Sequence, residues 1–349
     1  MSRPEALLLV SFGGPEGPDD VLPFLENVTR GRPVPRERLQ AVAEHYQQLG
    51  GRSPINDQNR QLLAAIRDQL DRDGPRLPVY WGNRNWAPLL ADAVAEMANA
   101  GIRHAAAFIT AAFAGYSSCR QYLEDITRAR AAVGPRAPVI SRLRHPYDHP
   151  LFLEAFARAA RAARATLPEP VRSGARLVFT AHSVPLAMAR AAGPAGGAYQ
   201  DQLRIAARLV ADRLGAEGPV DLVWQSRSGP PQQRWLEPDV LDHLRQLQQQ
   251  GVPAVVLVPL GFVSDHVEVR YDLDVEARQL ADELGLPLAR AATPGVELAG
   301  VVRALLAERC DNAPRLAESG EGPWPDGWCP DGCCVVDRDP RAVARVPHG

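Results

Sequence analysis

The chain has 349 residues, 46% of them hydrophobic and 23% charged, which is enough apolar material for two packed domains and argues against disorder. Its net charge of −2, with 39 basic residues that are all arginine, excludes the concentrated basic face of a nucleic-acid binder. No apolar run approaches the roughly 20 residues that span a bilayer.

The opening "MSRPEALLLVSFGG" passes from a few apolar residues straight into a glycine turn. It reads as a first strand and not as a signal peptide, so a cytoplasmic chain without disulfides is expected. Strands are predicted at 6–13, 77–83, 105–113 and 138–143, with amphipathic helices at 36–49, 58–72 and 87–100 closed by glycines. An Ala/Arg-rich helix at 151–166 follows. The scheme then repeats, with strands at 175–183, 220–226, 253–262 and 286–292 and helices at 199–214, 237–249, 269–285 and 296–309. Continuous apolar strands alternating with helices predict α/β domains, each a parallel sheet flanked by helices. The expected units are 1–150, a bridge at 151–167, a second domain at 168–310, and a tail at 311–349 that cannot build its own core.

Ligands of such folds sit beyond the carboxyl ends of strands. "FTAHSVP" puts His182 at one such end, and "VPLGFVSDHVE" puts His266 and Glu268 past another. A lone histidine is more often structural, but imidazole and carboxylate at two ends of one sheet suit proton transfer or metal binding. Along a predicted helix, Glu268, Asp272 and Glu276 fall at i, i+4 and i+8. Like charges so spaced repel by about 0.2–0.5 kcal/mol per pair. A divalent cation handed inward would explain the ladder; so would a solvated face neutralised by Arg270 and Arg278. The tail holds Cys329, Cys333 and Cys334 within six residues, compatible with a zinc site, a reactive pair or part of an iron–sulfur centre. No G-x-G-x-x-G follows the first strand and no phosphate-binding lysine loop exists.

Together "LLLVSFGGPE", "YQQLGGRSPIN", "FTAHSVP", "QSRSGPP" with "WLEP", and "GFVSDHVE" leading into "YDLD" resemble the ferrochelatase family over nearly all of the first 310 residues. The resemblance implies two Rossmann-like domains without a nucleotide site and ATP-independent insertion of Fe²⁺ into a porphyrin, releasing two protons. By carry-over, His182 is the inner base or metal ligand, Glu268 its acidic partner across the cavity, and Asp272 and Glu276 an outer metal path. Phe12 stands where many relatives carry a tyrosine that can ligate iron; phenylalanine can only pack on the ring. Ser53, Tyr122 and Tyr46 match ring or propionate contacts, and Arg30, Arg32, Arg52 and Arg120 are candidate propionate partners. The lip between Gly13 and Arg36 is polar and Pro-rich, which favours the four-propionate coproporphyrin III over protoporphyrin IX.

The resemblance also implies a [2Fe–2S] cluster on Cys119, Cys329, Cys333 and Cys334, with Cys310 the rival fourth ligand and zinc the rival metal. A monomer is expected, with a downstream enzyme of heme synthesis as a partner. The competing functions are a chelatase inserting cobalt or nickel into another tetrapyrrole, and a porphyrin carrier without turnover.

Overall fold

The run "ALLLVS" is buried along its whole length in β1 (Ala6–Ser11), as a strand covered on both faces must be. The structure, a computed structural model, describes residues 2–31, 34–216, 218–228, 232–322 and 324–335. After β1 come α1 (Val21–Val28), α2 (Arg36–Gln48), α3 (Ile55–Asp73), β2 (Val79–Asn83), α4 (Leu90–Asn99), β3 (His104–Ile109), α5 (Gln121–Val133) and β4 (Val139–Arg142). Helices α6 (Pro150–Thr166) and α7 (Glu169–Arg172) lead to β5 (Arg176–His182), α8 (Leu186–Arg190), α9 (Ala198–Arg213), β6 (Asp221–Gln225), α10 (Val240–Gln249) and β7 (Val255–Val258). The chain closes through α11 (Val267–Arg270), a π-helical segment (Tyr271–Glu276), α12 (Ala277–Glu283), β8 (Leu288–Arg290) and α13 (Leu298–Cys310).

The strands form two parallel four-stranded sheets, ordered β2-β1-β3-β4 and β6-β5-β7-β8. Both follow one permutation. From the strand that starts each half, the chain goes first to one side and then to the other. The order therefore reverses beside β1 and β3 in the first sheet and beside β5 and β7 in the second. Crevices at the carboxyl ends of those strands are where such sheets take ligands. Phe12 follows β1, and His182 ends β5.

One apolar cluster runs through both halves, from Leu7 and Leu9 of β1 through Phe152 and Phe156 of α6 to Phe179 of β5 and Leu305 of α13. Helix α6 is thus central packing as well as a connection. Helix α13, the last of the second half in sequence, packs on α3 of the first.

Several elements differ from the sequence reading. The predicted strand 105–113 stops at Ile109, because its neighbour β1 ends at Ser11 and offers few further partners. The predicted strand 253–262 stops at Val258, ahead of Pro259, which has no N–H for a ladder. Helix α5 was not anticipated; its buried Tyr122, Ile126 and Ala129 are interleaved with charged residues. The lip read as polar and Pro-rich contains α1, whose Val21, Phe24 and Leu25 are buried.

The tail is tied down by buried charge. Arg144 donates to both carboxylate oxygens of Glu308 on α13 and to the Leu316 carbonyl, while its backbone N–H donates to Asp326. Further along, the Gly327 N–H reaches the Arg142 carbonyl and Trp328 Nε1 reaches that of Ile140.

Candidate active site

Strand β5 delivers His182 because its neighbours leave it no choice of direction. It is register-paired with Gln225 at the end of β6, and Tyr199 donates to its carbonyl at 2.9 Å. Gly261, beyond β7, approaches so closely that a Cβ there would lie 2.6 Å from the Ala181 Cβ. The ring's Nδ1 lies 2.5 Å from the Ser183 carbonyl oxygen, which can only accept. The neutral ring therefore carries its proton on Nδ1, and the unprotonated Nε2 lies 3.8 Å from Glu268 Oε2.

That spacing corrects the sequence-based picture of Glu268 across a cavity from His182. A flat ring between them needs about 7 Å, twice an optimal carbon contact. At 3.8 Å no flat ring fits between the two groups. Glu268 sits in the first turn after the β7 crevice, so the switch point itself brings it beside β5. His266 lies close by, half-buried against Phe262, and burial pushes its pKa down.

The acids from Glu268 to Glu276 do not ride one continuous α-helix as predicted. Residues Tyr271–Glu276 form a π-helical turn between α11 and α12, a feature often found at functional sites. Asp272 Oδ2 accepts from Gln225 Nε2 at 3.1 Å and from the Ser226 hydroxyl. Ser226 holds φ at 61°, a left-handed conformation that costs a non-glycine residue about 1–3 kcal/mol. Burial pushes the Asp272 carboxyl up to about 7, and the charges of Glu268 and Glu276 add to this against the two hydrogen bonds. Glu276 is raised by burial, with His45 opposing and Asp239 adding. Asp239 lines a cavity of about 510 Å³ that also touches Ser183 and Arg227. The arginines considered as neutralisers go elsewhere: Arg270 to Asp274, and Arg278 to the Leu288 carbonyl.

Side chains of the first half pack against this region. Val267 packs with Val21, Phe24, Leu25 and Tyr46, so the lip helices dock directly on α11. His45 stacks on Tyr271 with ring centroids 3.8 Å apart. Gln58 of α3 accepts from the Asp265 N–H at 2.8 Å. Phe12 is 37% exposed, edge-on to Phe24, with the Arg84 guanidinium over its ring. Ser53, at 3% exposure, packs against Gly14, where an added Cβ would fall 2.7 Å from its own. Tyr46 and Tyr122 are also buried, and burial pushes the Tyr122 hydroxyl up to about 12. Arg30 is exposed, Arg52 is exposed and paired with Asp57, and Arg32 lies outside the described residues. Arg120 is paired with Glu124 and lies beside the cysteines.

A second cluster consists of cysteines. Cys119, Cys329, Cys333 and Cys334 line one small pocket with Arg120, Leu123, Trp328 and Pro330. Cys119 sits in another π-helical turn, Tyr116–Arg120. Thiol hydrogen bonds from Cys329 and Cys334 hold its pKa well below the ordinary range against the effect of burial. The same hydrogen bonds, with burial, raise Cys329 and Cys334. Cys310 lies apart, near Arg3 and Asp311. Among the described residues, no three His, Cys, Asp or Glu side chains converge as ligands for a metal ion.

Residues 4–307 match the family model described as Ferrochelatase. The chain belongs to the ferrochelatase family. It is 57% identical over 350 residues to the "Coproporphyrin III ferrochelatase" of Nocardia farcinica, covering 98% of this chain and 99% of that one. It is 56% identical to the protein of the same name from Frankia alni, covering 98% and 89%. Among solved structures, the sirohydrochlorin chelatase SirB from Bacillus subtilis in complex with cobalt shares the fold at a TM-score of 0.50 and 14% identity, over 92% of this chain and 99% of that one. Within this ferrochelatase family member, no helix of the described residues is long and apolar enough to cross a membrane.

The sequence reading quoted Gln225 and Ser226 without giving them a role. Their signal was the parallel register, which places Gln225 beside His182 once β5 and β6 are paired.

Proposed function

We propose that this protein inserts Fe²⁺ into coproporphyrin III, with His182 as base, Glu268 as its acceptor, and Asp272 and Glu276 on an outer path. The observation that carries the reading is the unprotonated His182 Nε2 standing 3.8 Å from a Glu268 carboxylate oxygen, with its tautomer set by Ser183. Nε2 takes a pyrrole N–H proton and passes it to the Glu268 carboxylate. Glu268 releases the first proton to solvent before the second transfer; the two transfers leave the ring dianion to bind Fe²⁺, and two protons leave for each metal inserted. Imidazole and carboxylate can also hold the incoming cation before it reaches the ring. Asp272 and Glu276 extend the polar route toward the cavity beside Asp239. Exposed Phe12 and Arg30 are suited to touch ring and propionates directly; Ser53, Tyr46 and Tyr122 lie deeper. The substrate follows the names of the relatives, and the expected location is the cytoplasm.

The test is anaerobic incubation with Fe²⁺ and either coproporphyrin III or protoporphyrin IX, followed by loss of free-porphyrin fluorescence. Faster loss with coproporphyrin is expected. Equal or greater turnover of protoporphyrin overturns the substrate assignment, and no loss with either porphyrin overturns the activity.

We also infer a [2Fe–2S] cluster on Cys119, Cys329, Cys333 and Cys334. The donor set supports it: four thiols line one pocket, one already acidic, and beside them the buried Arg142 keeps two nitrogen atoms without a hydrogen-bond partner. A cluster so held would supply a cross-link between tail and first sheet. Visible absorbance of the purified protein separates it from zinc, which is colourless.

A further inference from the structure

Arg142 ends β4 and is 2% exposed. An arginine so deeply buried is ordinarily paired with a carboxylate, since an uncompensated buried charge is expensive. Among the described residues none pairs with it. Its NH1 lies 3.0 Å from the Cys119 sulfur and 2.6 Å from His145 Nε2. Its plane lies over the Trp328 ring, 5.6 Å from the centroid. Its Nε and NH2 are buried without partners.

The donor roles around Cys119 follow from chemistry. A guanidinium can only donate, so His145 Nε2 accepts from Arg142 and carries no proton of its own in the neutral ring. The ring's proton then sits on Nδ1, which lies 3.3 Å from the Ala111 carbonyl. His145 Nε2 also lies 3.0 Å from the Cys119 sulfur but, accepting from Arg142, has no N–H to offer it, and the Arg120 charge beside the same pocket is spent on Glu124 at 3.0 Å. Arg142 is left as the positive charge facing the thiols, with N–H groups to spare.

We propose that Arg142 is the counter-charge and hydrogen-bond donor of the iron–sulfur centre, holding the Cys119 sulfur from NH1 and offering Nε and NH2 to the sulfur atoms of the bound cluster. The proposal rests on the reading of the four cysteines as a cluster site. Four thiolates and two sulfides make the centre anionic, and one-electron reduction adds a further negative charge. A fixed cation in a low-dielectric site stabilises the reduced state more than the oxidised one, so it raises the potential. It also compensates the desolvation of the thiolates and helps retain the cluster. Arg142 acts through the ligands and is a positioning and tuning residue, not a catalytic one.

The experiment uses the full chain purified without dioxygen, as wild type, Arg142→Leu and Arg142→Lys. Iron and sulfide content, visible spectra and electron paramagnetic resonance after dithionite are measured, and midpoint potentials are titrated spectroscopically. In Arg142→Leu the equilibrium constant for reduction is expected to fall at least tenfold, about 59 mV for one electron. Arg142→Lys, which keeps the charge but not the fork, should fall between the two. If Arg142→Leu does not fold, Arg142→Lys decides: a potential below wild type supports the proposal, and an unchanged one overturns it. A folded Arg142→Leu with wild-type cluster content and potential also overturns it. Wild type without iron or sulfide overturns the cluster reading itself, an outcome distinct from an unshifted potential in a loaded variant.

Discussion

At the residue scale the site depends on two orienting contacts. The Ser183 carbonyl fixes which His182 nitrogen is free, and Gln225 with Ser226 fixes Asp272. His182→Ala is expected to lower kcat on the order of 100-fold to 10,000-fold, the range for removing a positioned base. Porphyrin affinity, read by fluorescence titration, should change little. Asp272 makes a prediction about stability. Its folded carboxyl is raised to about 7 from an ordinary 3.8, chiefly by burial, so the folded state binds more protons than the unfolded one between those values. Its contribution is therefore full below about pH 4 and is lost as pH rises through about 7. Urea melts at pH 5 and pH 8 should show Asp272→Asn gaining on wild type at the higher pH; a constant difference would contradict this. His182 and Glu268 were readable as residue types at strand ends. That they stand 3.8 Å apart was not, because a pattern of strands and helices carries no distances.

At the element scale the two π-helical turns are the main departure from the sequence pattern. One carries Cys119 and the other Asp272 and Glu276. At the second, apolar periodicity shows that a helix exists but cannot separate an inserted residue from a regular turn; Leu273 and Ala277 are the buried positions there. The junction of β5 and β7 is equally specific. Gly261 already lies 2.7 Å from the Ala181 Cα measured from an added Cβ. Gly261→Ala should therefore destabilise the protein by about 1–3 kcal/mol, the usual cost of overpacking, and lower kcat by moving His182. Chemical denaturation and initial rates on the same preparation check both effects. Helix α5 and α1 escaped the sequence reading for a different reason: each buries only three side chains between charged or proline-containing stretches.

At the scale of the whole molecule the two sheets, the crossing helices and the tail are one packed object. Arg144, just after β4, joins α13 through buried hydrogen bonds and the tail through a part-buried one. Glu308→Ala leaves the Arg144 guanidinium with Asp148, 3.4 Å from its NH1, as its only carboxylate among the described residues, and should cost about 1–3 kcal/mol, the penalty for buried hydrogen-bonding groups left unmatched, read as a lower urea midpoint without change in slope. A cost below about 1 kcal/mol, the level of surface pairs, would show that the pair does not bind the tail. What the sequence by itself determined was the α/β plan, two parallel sheets and the identity of the reactive side chains, because burial periodicity and residue chemistry are local properties. Only the tertiary structure decided that His182 and Glu268 stand 3.8 Å apart, that α13 crosses back onto α3, and that four cysteines 210 residues apart at their first gap (119 to 329) share a pocket whose Cys119 sulfur meets Arg142. Those facts depend on strand order and on how helices dock between sheets. They are set by packing between segments distant in the chain, which no local pattern records.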